Sequence, residues 1–182
     1  MDASSDRGDG FTVLDGVALV VAAAVASVHM RGPVQLAAGA VWGLVWIAFG
    51  GVALTAAGPI LFLIRRYGRR SEGYPRIGDR LWALLGTPWL LTAPLRSGPG
   101  GAVSRSLGLY STILTITVGA ASVLVLAVLW KVWVLTPPGA RDFKNDPAPW
   151  TARMGMALSV AWPLQCGFLL VVLDSETFPG AR

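Results

Sequence analysis

The stretch from Leu107 to Trp130 contains no Asp, Glu, Lys, Arg or His. Val34 to Ile64 and Met154 to Leu173 are equally free of them, and Phe11 to Met30 holds only Asp15 and His29. About 20 apolar residues suffice to cross the ~30 Å hydrocarbon core of a bilayer. Lipid offers no hydrogen bonds to a bare backbone, so a crossing segment must pair its own amides as a helix. The pattern therefore predicts an all-α, integral membrane four-helix bundle, with four transmembrane helices at 11–30, 34–64, 107–130 and 154–173.

Composition agrees with that assignment. Hydrophobic residues make up 54% of the 182 residues and charged residues 14%, against about 25% charged in a soluble domain, so the deficit falls where a water-facing surface would be. The formal charge of +5 is explained by loop topology, and no nucleic-acid partner is expected. Cys166 is the single cysteine, which excludes an intramolecular disulfide and a paired-thiol metal site.

Residues 1–10 and 174–182 read as short tails. Ala24-Val25-Ala26 imitates a signal-peptidase site, but the leader before it is acidic, so a retained helix is expected. Asp15 falls near a helix start, where the dipole favours a carboxylate. Arg31-Gly32-Pro33 predicts a tight turn. A straight helix over 34–64 would reach about 46 Å, so it must tilt, kink or emerge into water, with Gly58-Pro59 as the kink point.

The 65–105 segment carries Arg65, Arg66, Arg69, Arg70, Arg76, Arg80, Arg96 and Arg105 against only Glu72 and Asp79. Basic residues accumulate in cytoplasmic loops, which predicts this loop and both termini inside, and the Pro-rich 136–149 loop outside. Arg65, Arg66, Arg69, Arg70, Arg80 and Arg96 are the candidate contacts for anionic lipid headgroups or an acidic partner. Within the segment, Leu81 to Leu95 is short for a crossing and holds Pro88 and Pro94. It is expected to lie in the headgroup layer, with a re-entrant hairpin or a fifth crossing as competing arrangements.

Three features suggest helix packing. Gly39 and Gly43 form a GxxxG pattern, Ser111, Thr115, Gly119 and Ser122 place small and hydroxyl side chains on one helical face, and Gln165 puts an amide near mid-membrane. Such residues permit close helix contact and hydrogen bonds across it, within the bundle, in a homo-oligomer or with a protein partner.

Nothing rises to a catalytic, metal or cofactor motif. His29 is the only histidine, and it reads as an interfacial residue. Asp15, His29, Glu72 and Asp79 make a thin set of candidates for a membrane enzyme. No buried ion pair is expected. The first expectation is a non-enzymatic accessory or scaffolding subunit, and the alternative is a small transporter or channel component lined by the hydroxyl stripe, Gln165 and 81–95. The architecture resembles that of many small bacterial inner-membrane subunits, a resemblance that carries no function.

Overall fold

The computed structural model describes residues 11–36, 40–68, 76–97, 107–135 and 149–173. These form five helices: α1 (Val13–Leu36), α2 (Ala40–Gly68), α3 (Ile77–Ser97), α4 (Leu107–Trp130), which continues into a π-helical turn at Lys131–Leu135, and α5 (Trp150–Leu173). Three stretches are long and apolar enough to cross a membrane: Val13–Arg31, Trp42–Tyr67 and Leu109–Leu135. The described elements are thus all helical, three of them apolar enough for a membrane, and five helices stand among the described residues where four were expected.

The helix starts follow from local chemistry. The Thr12 amide donates to Asp15 Oδ2 at 2.9 Å while the Asp15 amide donates to Thr12 Oγ1 at 3.3 Å, a reciprocal cap that satisfies two otherwise orphaned N–H groups. Asp79 Oδ2 accepts the Arg76 amide at 3.1 Å at the start of α3. Helix α1 does not turn at Arg31-Gly32-Pro33 but runs on to Leu36, because a proline this close to a helix end removes a single ladder bond. Helix α2 is unbroken through Pro59.

The largest departure from expectation is α3. The 81–95 segment, expected in the headgroup layer within a basic loop, belongs to a continuous 21-residue helix that packs against each of the other four. Leu81, Trp82, Leu85, Trp89 and Thr92 are all buried. Their spacing of three and four places them on one side of the helix. The prolines fit because neighbouring helices shield the backbone they disturb: Pro59 leaves the Thr55 carbonyl without its helical donor, and Gly86 of α3 packs directly on that carbonyl and on the Pro59 ring. The Trp82 indole N–H donates to the Leu54 carbonyl at 2.8 Å one turn away.

Cross-helix contacts give the helix directions. Asp15 near the start of α1 meets Arg65 near the end of α2, Gly58 and Thr55 of α2 meet Trp82 and Gly86 of α3 in reverse order, and Gly78 near the start of α3 meets Ala152 near the start of α5. His29, late in α1, meets Tyr110, early in α4. Helices α1, α3 and α5 therefore run one way and α2 and α4 the other. The start of α1 and the end of α5 lie at opposite ends of the bundle; the termini themselves, 1–10 and 174–182, expected on one side, lie outside the described residues.

Close approach is concentrated at four glycines. A Cβ on Gly58 would run into the Trp82 backbone, on Gly86 into the Thr55 carbonyl, on Gly78 into Ala152, and on Gly155 into Gly78. At Gly43 and Gly119 nothing lies within 4 Å. Gly78→Val or Gly155→Val is accordingly expected to lower stability in detergent by about 1–3 kcal/mol or more, read as a lower thermal midpoint. Gly43→Ala and Gly119→Ala should leave that midpoint unchanged or raise it slightly, since alanine is the better helix former.

Candidate functional site

Polar side chains gather at both ends of the bundle. At the end where α1 and α5 begin, the Arg65 guanidinium reaches inward from α2. Its Nη2 sits 2.9 Å from Asp15 Oδ2 and its Nε 3.4 Å from Asp15 Oδ1, while Nη1 donates to Thr151 Oγ1 at 3.2 Å. The pair is shielded, with side-chain exposures of 14% for Arg65 and 1% for Asp15. Arg65 also lies over the Trp150 ring, 5.5 Å from its centroid. Asp79 of α3 is also buried, one residue from Gly78, which packs on Ala152. Residues from α1, α2 and α5 thus share one network, with Asp79 of α3 beside it. Trp150 packs edge-on to Trp82 and beside Phe11, and its Nε1 is buried without a hydrogen-bond partner.

The expectation of no buried ion pair is corrected by Asp15–Arg65. The reading of Asp15 as a residue of a helix start stands, since it closes the α1 cap, but the carboxylate has two jobs. The same correction applies to Arg65, assigned by sequence to lipid or partner contact and found turned into the bundle.

At the opposite end His29 is fully buried, where an interfacial position was expected. His29 Nε2 lies 2.9 Å from the Trp89 carbonyl and Nδ1 lies 2.6 Å from the Tyr110 hydroxyl. A carbonyl can only accept, so Nε2 carries the hydrogen; a neutral ring then accepts the Tyr110 O–H at Nδ1. This assignment is inferred from the partners. The imidazole also stacks on Tyr110 and meets Trp89 edge-on, and Arg96 lies 5.0 Å from the Tyr110 centroid. The cluster ties α1, α3 and α4. Trp89 Nε1 is buried there without a partner.

The remaining sequence candidates are scattered. Ser111 and Thr115 face outward, as do Gly43 and Gly119, so among the described residues no helix covers that part of the stripe. Ser122 is half-buried and accepts the Trp162 indole N–H at 2.7 Å, joining α4 to α5. Gln165 turns toward α2, where a Cβ on Gly51 would lie 2.5 Å from its Nε2. Arg66 and Arg80 are exposed, and Arg66 lies 6.0 Å from the Phe62 centroid. Gly39, Arg69, Arg70 and Glu72 lie outside the described residues. Among those described, no group of three or more His, Cys, Asp or Glu side chains comes together.

Thr151, Trp150 and Tyr110 were not singled out from sequence. A lone threonine or tyrosine at a helix end carries no periodic signal; only its neighbours in space make it part of a network.

Arg65→Met leaves Asp15 buried and unpaired and is expected to cost about 3–5 kcal/mol. The double variant Asp15→Leu/Arg65→Met should recover a large part of that loss, as a double-mutant cycle of unfolding in detergent would reveal. Tyr110→Phe removes the donor to His29 and should cost about 1–3 kcal/mol in the same assay. No family model, no curated protein and no solved structure matches this chain.

Proposed function

We propose that the chain is a five-crossing bacterial inner-membrane protein that serves as a non-enzymatic accessory or scaffolding subunit of a membrane assembly. The observation that carries this reading is the filled interior around α3, where Trp82, Trp89, Leu81 and Leu85 are buried against glycine-mediated backbone contacts. Interior hydroxyls turn back onto their own helices: Thr55 donates to the Gly51 carbonyl at 2.8 Å, Thr92 to Pro88 at 2.7 Å and Ser159 to Gly155 at 2.7 Å. A hydroxyl whose proton is spent on its own backbone has no proton left to donate to a passing solute.

The same helix directions support an orientation. Among the described residues, Arg65, Arg66, Arg76, Arg80, Lys131 and Arg153 belong to the end of the bundle that holds Asp15, and Arg31 and Arg96 to the other. The positive-inside tendency then favours the Asp15 end in the cytoplasm, with the chain entering α1 from inside and leaving α5 outside.

A second reading, a small ion-coupled transporter, is favoured by Asp79, because ionisable side chains inside membrane bundles are costly and commonly mark ion or substrate paths. Purification in mild detergent is expected to bring down a partner protein at fixed ratio. Liposomes holding this chain alone that show a substrate-dependent flux, lost in Asp79→Asn or Gln165→Leu, would overturn the subunit reading. For topology, in a Cys166→Ala background, Arg31→Cys should react with an impermeant maleimide from outside and Arg80→Cys only after permeabilisation; the reverse pattern inverts the orientation.

A further inference from the structure

The half-buried side chain of Gln165 sits in the seam between α5 and α2, with Nε2 against Gly51. Among the described residues its amide makes no hydrogen bond. Other polar groups on these helices are satisfied: Thr55, Thr117 and Ser159 donate to their own backbones, and the Trp162 indole donates to Ser122. Gln165 is 15 residues past Trp150, the first residue of α5. That is about 22 Å along the axis, inside the ~30 Å hydrocarbon layer of a crossing helix. Acyl chains at that depth accept and donate nothing, so lipid covering the seam would leave the carboxamide unpaired.

The backbone around the amide is bare. Gly50, beside Gly51, and Gly167, two residues past Gln165, are exposed, and a Cβ on either would meet nothing within 4 Å. Such positions let a second helix come close enough for hydrogen bonds between helices. A carboxamide holds both donors and an acceptor, so it is complementary to a second carboxamide. The positive-inside tendency gives every copy of the chain one orientation. Residue 165 of one copy therefore lies at the depth of residue 165 of the next, and a two-fold axis along the membrane normal sets the same patch against itself. We propose that the α2–α5 seam is a homodimer interface in which the Gln165 amides of two copies hydrogen-bond each other over the bare backbone at Gly50 and Gly167. The interface rests on the five-crossing reading and adds to it that the subunit works as a pair.

The test counts copies of the full chain in phospholipid vesicles, across a range of protein-to-lipid ratios, by single-molecule photobleaching. The expected result is a monomer–dimer equilibrium that Gln165→Leu weakens about 3- to 30-fold. Gly50→Leu should abolish pairing while leaving the thermal midpoint at monomeric dilution in detergent unchanged, because the single chain has room there. In a Cys166→Ala background, Leu164→Cys, exposed next to the amide, should be captured as a disulfide-linked dimer, and Ile116→Cys on the outer face of α4 should not. A chain that stays single at every density overturns the proposal, as does pairing undiminished by either Gln165→Leu or Gly50→Leu. Capture of the second copy through Ile116→Cys in place of Leu164→Cys, or of a different protein through Leu164→Cys, overturns it too. Reaction of Gln165→Cys in the same background with an impermeant maleimide would put this position in water and overturn the five-crossing reading together with the proposal. Protection at 165 in a chain that stays single overturns the proposal alone.

Discussion

The structure depends on the shielding of α3. This helix carries Asp79, Arg80, Thr87, Thr92 and Arg96 along with Pro88 and Pro94, more polar and broken-ladder chemistry than a helix surrounded by acyl chains tolerates. Its neighbours supply what lipid does not. Gly58 and Gly86 let α2 come close enough for Trp82 to reach the Leu54 carbonyl, and Gly78 and Gly155 bring α5 into backbone contact. The more apolar α1, α2 and α4 then face outward with exposed Val, Leu, Ile and Trp. Hydrophobicity alone does not draw helices together in lipid, so close packing and interhelical hydrogen bonds must hold this arrangement.

Two polar networks act as fasteners at the ends of that core. One uses charge: Asp15, Arg65 and Thr151 join three helices, with the buried Asp79 of a fourth close by. The other uses a neutral imidazole between a carbonyl and a phenol, joining three. Both lie where a helix terminus also contributes partial charge, and Asp15 at the start of α1 gains from the positive end of its helix as well as from Arg65. The middle of the bundle, by contrast, is filled with tryptophan and aliphatic groups.

Much of this was legible in the residues and some was misread for physical reasons. The long apolar runs announced helices without ambiguity, and the Thr12 to Asp15 spacing marks a cap that sequence reasoning half recognised. Segment 81–95 was read as interfacial because length and proline content were weighed against a lipid environment. The spacing of Leu81, Trp82, Leu85, Trp89 and Thr92 held the opposite message, a helix with one heavily buried side. The glycines misled in the same way: a GxxxG spacing around Gly43 stands out in sequence, yet the close contacts fall on Gly58, Gly78, Gly86 and Gly155, which have no mutual pattern because they lie on three different helices.

By itself the sequence determined that the apolar runs are helical, where the most apolar of them, Leu107–Trp130, begins and ends, and that these helices are built for hydrocarbon, because backbone pairing and transfer energies are local quantities summed along a run of residues. Tertiary structure alone decided that α3 is the centre, that Arg65 turns inward to Asp15 and that His29 is a buried fastener between Trp89 and Tyr110. Those outcomes depend on which surfaces meet in space, and the pairing of residues 50 or 81 positions apart leaves no trace in any periodic pattern.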